Sequence, residues 1–277
     1  MPTPSSRISL KDHLQPLAAG ILCLVIYLPS WLWMWERWWA RDSYYSHGLL
    51  VPFITGFLIW QRREELAKIK VERSGWGMPL IVLGLLVYFG SALFRIYFSS
   101  AFSMIAVLCG MILHFYGARI LRMVLFPVLF LFFMMPLPLV AIINISFKMK
   151  MFAATIAAGV LNSMGLEAVQ QGSIIKMKHA YVVVDDVCSG LRSLISLTAL
   201  GSIFAYWMQG PMWKRVLLFL TTIPIAIVTN VCRVVLLSCV SEIWGPERAS
   251  GFIHDASGFL VFALAFIMLY ACGKLIE

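Results

Sequence analysis

Apolar residues in this chain occur in long runs that are separated by short polar loops. A helix needs about 20 mostly apolar residues to cross the hydrocarbon core of a bilayer, and most of these runs approach or exceed that length. No polar stretch between them is long enough for a separate soluble domain. The pattern therefore predicts an all-α polytopic membrane protein with about eight transmembrane helices. The runs cover approximately residues 16–35, 48–60, 75–94, 99–116, 121–140, 188–208, 216–240 and 252–272.

The stretch 141–187 departs from this pattern. Residues 144–164 are apolar apart from two lysines, which is typical of an amphipathic helix at the interface or of a re-entrant helix. Residues 166–187 alternate and are rich in β-branched side chains, which favours a short β-hairpin. We expect one transmembrane domain over 1–277, with 141–187 as a small extracytoplasmic or interfacial insertion. If 144–164 crosses the bilayer instead, the helix count becomes nine or the orientation of the preceding part reverses.

Composition supports a membrane location and narrows the expected partners. The chain is 61% hydrophobic and 13% charged, which does not describe a soluble protein. Its formal charge of +9 comes mostly from loops between apolar runs, where basic residues orient helices, so we expect contact with the lipid bilayer and no nucleic-acid partner. The six cysteines show no spacing suited to zinc, and we predict no cofactor and no metal site.

The basic loops predict the orientation of the helices. Cytoplasmic loops carry an excess of Lys and Arg, so the loops after the second, fourth and sixth runs are expected inside, together with both termini. The first run lacks a signal-peptide cleavage site and is expected to be retained as a span. Lysines in 141–187 conflict with an outer location, but the rule weakens for longer loops. The basic residues of the three loops are Arg62, Arg63, Lys68, Lys70 and Arg73; Arg119 and Arg122; and Lys214 and Arg215.

This orientation brings three reactive side chains to the outer face of the membrane. Cys188 begins the sixth run at its outer end, and His254 begins the eighth run at the same level. Arg233 lies 18 residues beyond the cytoplasmic Arg215, which is about 27 Å along a helix. We therefore expect chemistry at the outer surface.

Cys188 has the sequence context of an activated nucleophile. At a helix N-terminus the dipole is positive and favours the thiolate, and Arg192 adds positive potential four residues later. The backbone N–H groups of Ser189 and Gly190 are suited to stabilising an oxyanion, because no earlier carbonyl of the helix accepts from them. The alternative is a buried cysteine at a helix cap without a chemical role.

Arg233 lies inside an apolar run, where a charge usually faces a polar cavity of the protein. Asn230 is three residues earlier and therefore on the same helical face, where its amide can bind the guanidinium or a substrate. An arginine cannot lose its charge, which suits stabilisation of a thiolate or an oxyanion. The alternative is an arginine whose side chain extends to the outer interface.

Two histidines are candidates for proton transfer, since imidazole titrates near neutral pH. His254 can protonate a leaving amine, although a histidine at a membrane interface is often only a hydrogen-bonded polar residue. Asp42 and His47 lie in the outer loop before the second run and can bind substrate, or His47 can replace His254 as the base. A helix cap followed by an interfacial histidine explains that loop equally well.

Four motifs resemble those of the exosortase/archaeosortase family of membrane cysteine transpeptidases. They are Val-Cys-Ser-Gly-Leu-Arg-Ser at 187–193, Asn-x-x-Arg at 230–233, His-x-x-x-Gly at 254–258 and Asp-x-x-Tyr-Ser-His-Gly at 42–48. The resemblance implies a catalytic set of Cys188, Arg233 and His254. It also implies substrate proteins with a C-terminal tail made of a short motif such as Pro-Glu-Pro, a transmembrane helix and a basic cluster. Such enzymes cleave beside the motif and pass the acyl group to a surface acceptor, a glycan or a lipid.

The sequence thus predicts an enzyme of the cytoplasmic (inner) membrane that cleaves a C-terminal sorting signal at the outer face through a Cys thioester and transfers the product. One alternative is an intramembrane cysteine protease that releases its product by hydrolysis. Another is a transporter or polysaccharide-export component in which Arg233 lies on the solute path. Many transporters have repeated halves, and no repeat is visible in this sequence.

Overall fold

The structure is a computed structural model that describes residues 10–41, 43–185, 190–249 and 252–277. It divides into two compact units. The first comprises Met1–Arg41 and Ser46–Pro136, and the second Asp42–Tyr45 and Leu137–Glu277. Both units are mainly helical. The expectation of one transmembrane domain over the whole chain stays a prediction.

The first unit contains seven helices within its described residues. The first apolar run forms two helices with a bend of 58° between them. Pro29 lies in the first turn of the second helix, where its missing N–H costs no helical hydrogen bond, so its position favours a helix start there. The helices are α1 (Leu10–Ile26), α2 (Leu28–Trp39), α3 (Leu50–Gln61), α4 (Arg63–Ala67), α5 (Gly77–Leu93), α6 (Tyr97–Tyr116) and α7 (Ala118–Phe130), and a 3₁₀ turn follows (Leu131–Met134).

Small residues and paired hydroxyls hold the helices of the first unit together. A Cβ atom added at Gly77 would collide with the backbone of α6 at Gly110 and His114, so α5 and α6 approach closely there. The Tyr27 and Ser103 hydroxyl oxygens lie 2.7 Å apart, which joins the α1–α2 break to α6. Close contact of small residues and hydrogen bonds between helices are the usual ways in which helices associate in a membrane.

The second unit combines four long helices with a small sheet. The predicted hairpin is present and has a third strand, and the three strands form an antiparallel sheet in the order β1-β2-β3. The elements are α8 (Leu139–Ser163), β1 (Val169–Gln171), β2 (Ile174–Lys176), β3 (Tyr181–Val183), α9 (Leu191–Trp207), α10 (Met212–Trp244), α11 (Pro246–Ala249) and α12 (Phe252–Ile276).

The sheet packs against α8 and α10 through one apolar cluster. Ile175 is fully buried in the central strand, and Gln170 and Val182 are its partners on the two neighbouring strands. Ile175 and Val184 pack with alanines of α8 and with Val234 and Leu237 of α10. This cluster anchors the chain just before 186–190 to the helix that carries Arg233.

Four described helices are long and apolar enough to cross a membrane, and a fifth span results if α1 and α2 count as one broken span. The predicted count of eight is not confirmed. The 12 residues of α3 and the 17 of α5 and α9 reach only about 18 Å and 26 Å, less than the roughly 30 Å of a bilayer core. Nearly all of the region 144–164 belongs to α8, a continuous helix of 25 residues that ends at Ser163. The candidate spans are Tyr97–Phe115, Leu139–Ser163, Met212–Trp244 and Ala256–Ile276.

Candidate functional site

Three of the predicted site residues lie outside the described part of the chain. They are Cys188 and Ser189, just before α9, and Asp42. Gly190, Arg192, Asn230 and Arg233 of the second unit are described, and they carry the geometry of the candidate site.

Gly190 is the N-cap of α9, and its φ of 77° is in the left-handed region. Its carbonyl accepts the first bond of the helix from the N–H of Leu194 at 2.9 Å. A Cβ atom added at Gly190 would lie 2.6 Å from Cγ of Asn230. Two features therefore require glycine at position 190: the left-handed backbone conformation and the close approach of α9 to α10.

Arg233 is buried in α10, with 8% of its surface exposed. Its Nε donates a hydrogen bond to the Oγ of Ser257 at 3.0 Å. Ser257 is also buried and lies in the second turn of α12. Because Ser257 follows His254 by three residues, the two positions share a face of α12. The arginine of α10 thus contacts the face of α12 on which His254 stands.

Gly258 lies beside the same guanidinium. A Cβ atom added there would lie 3.7 Å from Nη2 of Arg233, in ordinary van der Waals contact. The backbone of His254 lies in the first turn of α12, and its side chain is outside the described part of the structure. The helix that lies next to Gly258 is therefore α10.

The described residues thus bring together the starts of α9 and α12 at the middle of α10. Asn230 contacts Gly190, and Arg233, one turn later on the same face, contacts Ser257 and Gly258. A guanidinium has five N–H donors in a planar fork, and the bond to Ser257 holds that fork in one orientation. An arginine held in this way in a buried location suits binding of a thiolate or an oxyanion.

Arg192 is in the first turn of α9, and within the described residues its buried Nε has no hydrogen-bond partner.

His47 belongs to the first unit. Burial lowers the pKa of His47 below its ordinary value, and a hydrogen bond with the backbone of Phe133 opposes that shift. A lowered pKa keeps the imidazole neutral at pH 7, the form that accepts a proton.

The sequence reasoning missed Ser257. A hydroxyl group in an apolar helix usually bonds to its own backbone, so the residue type gave no reason to assign it to Arg233. Its spacing of three residues from His254 was the available signal. Thr229, next to Asn230 on α10, does bond within its own helix, to the carbonyl of Ile225.

Comparison with known proteins gives one family. Neither curated proteins nor solved structures gave a match. The family model described as transmembrane exosortase matches residues 38–271, which include α9, α10 and the start of α12 with the contacts described above. The chain belongs to the transmembrane exosortase family.

Proposed function

We propose that this protein cleaves the C-terminal sorting signal of exported, membrane-anchored proteins and transfers the product to a glycan or lipid acceptor. Family membership supports a transmembrane protease or transpeptidase of protein sorting. The orientation belongs to the proposal: a multi-pass protein of the cytoplasmic membrane, with both termini inside and the reaction at the outer face. The observation that carries the proposal is the 3.0 Å bond from Arg233 to Ser257, because it joins the buried charge of α10 to the helix of His254.

The proposed reaction proceeds in two acyl-transfer steps. The Cys188 thiolate attacks the scissile carbonyl, a C–S bond forms, and the C–N bond breaks as His254 donates a proton to the leaving amine. His254 then takes a proton from the acceptor nucleophile, which attacks the thioester and releases the thiolate. Arg233 stabilises the negative charge on the carbonyl oxygen in both tetrahedral intermediates.

The burial of Arg233 supports this role. A guanidinium inside a membrane span is costly unless it is paired with an anionic group. In the resting enzyme the proposed partner of this guanidinium is the Cys188 thiolate. During the reaction the charge on sulfur moves to the oxyanion, and the same guanidinium stabilises it.

Replacing Cys188 by Ala tests the proposal. We expect the Cys188→Ala protein to leave a tail substrate uncut while still binding it, because substitution removes the nucleophile and leaves the binding residues in place. The readout is the electrophoretic mobility of a tagged substrate in membranes. Cys232→Ala is the matched control, since Cys232 is an exposed thiol next to Arg233 in α10 and should be dispensable. If the Cys188→Ala protein cleaves the tail substrate as the wild type does, the thiol mechanism is wrong.

Mass spectrometry of the product separates the proposal from its alternatives. Transfer predicts a new C-terminus that carries the mass of an acceptor. A free carboxylate at that position would indicate a hydrolytic protease. An intact substrate with the wild-type protein would instead favour a transport or export component.

A further inference from the structure

The three-stranded sheet has two different faces. Side chains alternate between the faces along each strand, and Ile175 with its two cross-strand partners belongs to the face that packs on α8 and α10. The opposite face carries Val169, Tyr181 and Val183, which are 58%, 57% and 42% exposed. Apolar side chains grouped on an exposed face mark a surface that contacts lipid or a partner. We call this surface the outward face, and its residues are Val169, Gln171, Ile174, Lys176, Tyr181 and Val183.

The contact with α8 places the sheet beside a candidate membrane span. Ile175 packs in one cluster with Ala154 and Ala157 of α8, which lie about 14 Å and 9 Å before the end of that helix at Ser163. The helix is only about 8 Å longer than a bilayer core of roughly 30 Å. When α8 spans the bilayer, the sheet therefore lies alongside the span and not beyond its end.

Two features of the sheet keep it out of the hydrocarbon core. Among the described strands, β1 and β3 each pair only with β2, so both are edge strands. Hydrocarbon cannot hydrogen-bond to the backbone groups of an open sheet edge, and it does not solvate the ammonium group of Lys176. The headgroup layer provides both hydrogen bonds and contact with apolar chains, so it is the layer that suits this sheet.

The chain descends along α10 as it passes through β3. The backbone N–H of His179, just before β3, donates to both carboxylate oxygens of Glu242 at 3.1 Å. Val184, just after β3, packs with Val234. These two contacts are eight residues, or about 12 Å, apart on α10. The strand therefore leads from near the end of α10 down to the level of Arg233.

The polarity of the outward face changes in the same direction. Lys176 and Tyr181 are cross-strand partners in the upper row, and Ile174 and Val183 are partners two residues further down, about 7 Å along the strands. Tyrosine and lysine are the side chains that favour the headgroup level, where the phenol and the ammonium meet water and phosphate. Isoleucine and valine favour the acyl chains below. This order matches a bilayer surface.

We propose that the outward face lies in the lipid leaflet that surrounds the sheet end of α10. Lys176 pairs with a lipid phosphate, Tyr181 lies among the headgroups, and Ile174 and Val183 contact the upper acyl chains. The proposal requires that α8 and α10 span the bilayer and does not depend on the proposed cleavage reaction. Lipid contact would hold the chain that leads into 186–190 at the membrane surface.

Nitroxide labels on single cysteines measure this contact. The full chain without its native cysteines is placed in nanodiscs that contain phosphatidylglycerol, and Val183→Cys or His179→Cys carries the label. Oxygen dissolves in hydrocarbon and a nickel chelate stays in water, so the ratio of their collision rates with the label reports depth. We expect this ratio to be at least about fivefold higher at position 183 than at position 179. Val228→Cys, at an exposed position in the middle of α10, is the reference for hydrocarbon and should give a higher ratio still.

Reversing the charge of Lys176 tests the phosphate contact. With the label on Tyr181→Cys, we expect Lys176→Glu to increase collision with the nickel chelate, because anionic headgroups repel a glutamate. Lys68→Glu is the control, since it makes the same change in net charge at an exposed residue that follows α4. It should leave the collision rates at position 181 unchanged.

Three results would overturn the proposal. Equal collision ratios at positions 183 and 179 would place the outward face in water. Little collision with either reagent at position 183 would mean that protein covers the face, either a second copy of this chain or another partner. Identical effects of Lys176→Glu and Lys68→Glu would contradict the pairing of Lys176 with phosphate.

Discussion

The hydrogen bond between Arg233 and Ser257 fixes the orientation of a charged side chain in the candidate site. Arginine side chains are flexible, and holding one in a fixed orientation requires a partner that is itself fixed. Ser257 is buried in α12 and accepts from Nε, which holds the plane of the guanidinium. We infer that Ser257 is a positioning residue that acts through Arg233.

Replacing Ser257 by Ala should therefore reduce turnover. Loss of one hydrogen bond to a charged group costs about 1.5–3 kcal/mol, which predicts a roughly 10- to 100-fold lower kcat with little change in KM. Ser257→Thr keeps the hydroxyl and should recover most of the activity. The measurement is steady-state cleavage of the tail substrate by purified protein.

Ser202→Ala is the control for this experiment. Ser202 is a buried serine of α9 that bonds to the carbonyl of Ala199 in its own helix, so its loss should leave kcat near the wild-type value. Equal activity of Ser257→Ala and Ser202→Ala would contradict a positioning role for Ser257.

At the scale of elements, the start of α9 is positioned by its contact with α10. The sequence predicts a helix that begins at residue 188, and the structure starts α9 at Leu191 with Gly190 as its cap. The left-handed conformation of Gly190 sets the direction in which the chain enters the helix. The contact with Asn230 then fixes that entry against the middle of α10.

Gly190→Ala should destabilise this arrangement. An alanine in the left-handed region costs roughly 1–2 kcal/mol, and its Cβ would also displace Asn230. We expect a lower unfolding temperature in detergent, followed by circular dichroism, together with weaker substrate binding. Gly159→Ala in α8 is the control, because nothing lies within 4 Å of an added Cβ there and alanine is the better helix former. A Gly190→Ala protein as stable as Gly159→Ala would be incompatible with the described contact.

At the scale of the whole molecule, α8 has the largest effect on topology. Its 25 residues extend about 38 Å, more than the thickness of a bilayer core, and its composition makes it a candidate span. Because α8 contains Lys148 and Lys150, its sequence resembles that of an interfacial helix. In the structure Lys148 lines a cavity, where water or a ligand can solvate its charge.

Labelling of single cysteines tests whether α8 crosses the membrane. In a protein without its native cysteines, Leu139→Cys and Met164→Cys mark the two ends of α8, and both positions are exposed. If α8 spans, a membrane-impermeant maleimide labels one of them in intact cells and both after permeabilisation. Met212→Cys and Ile243→Cys, near the ends of α10, are the control pair for a spanning helix. Labelling of both α8 ends from the same side would make it an interfacial helix.

The sequence alone determined the membrane class, the strand-forming segment and the family. These properties depend on composition, on periodicity and on short motifs, all of which are local in the chain. It also placed Asn230 and Arg233 on one face of a helix, since a spacing of three residues is sufficient for that. The meeting of Cys188, Arg233 and His254 in one pocket stays a prediction.

Only the tertiary structure decided which helices are long enough to span, where the first run bends, and which residues contact Arg233 and Asn230. Ser257 and Arg233 are 24 residues apart, and Gly190 and Asn230 are 40 apart, so each pair meets only because α9 and α12 pack against α10. Such contacts depend on the shapes of many side chains at once, because packing between helices is a property of whole surfaces.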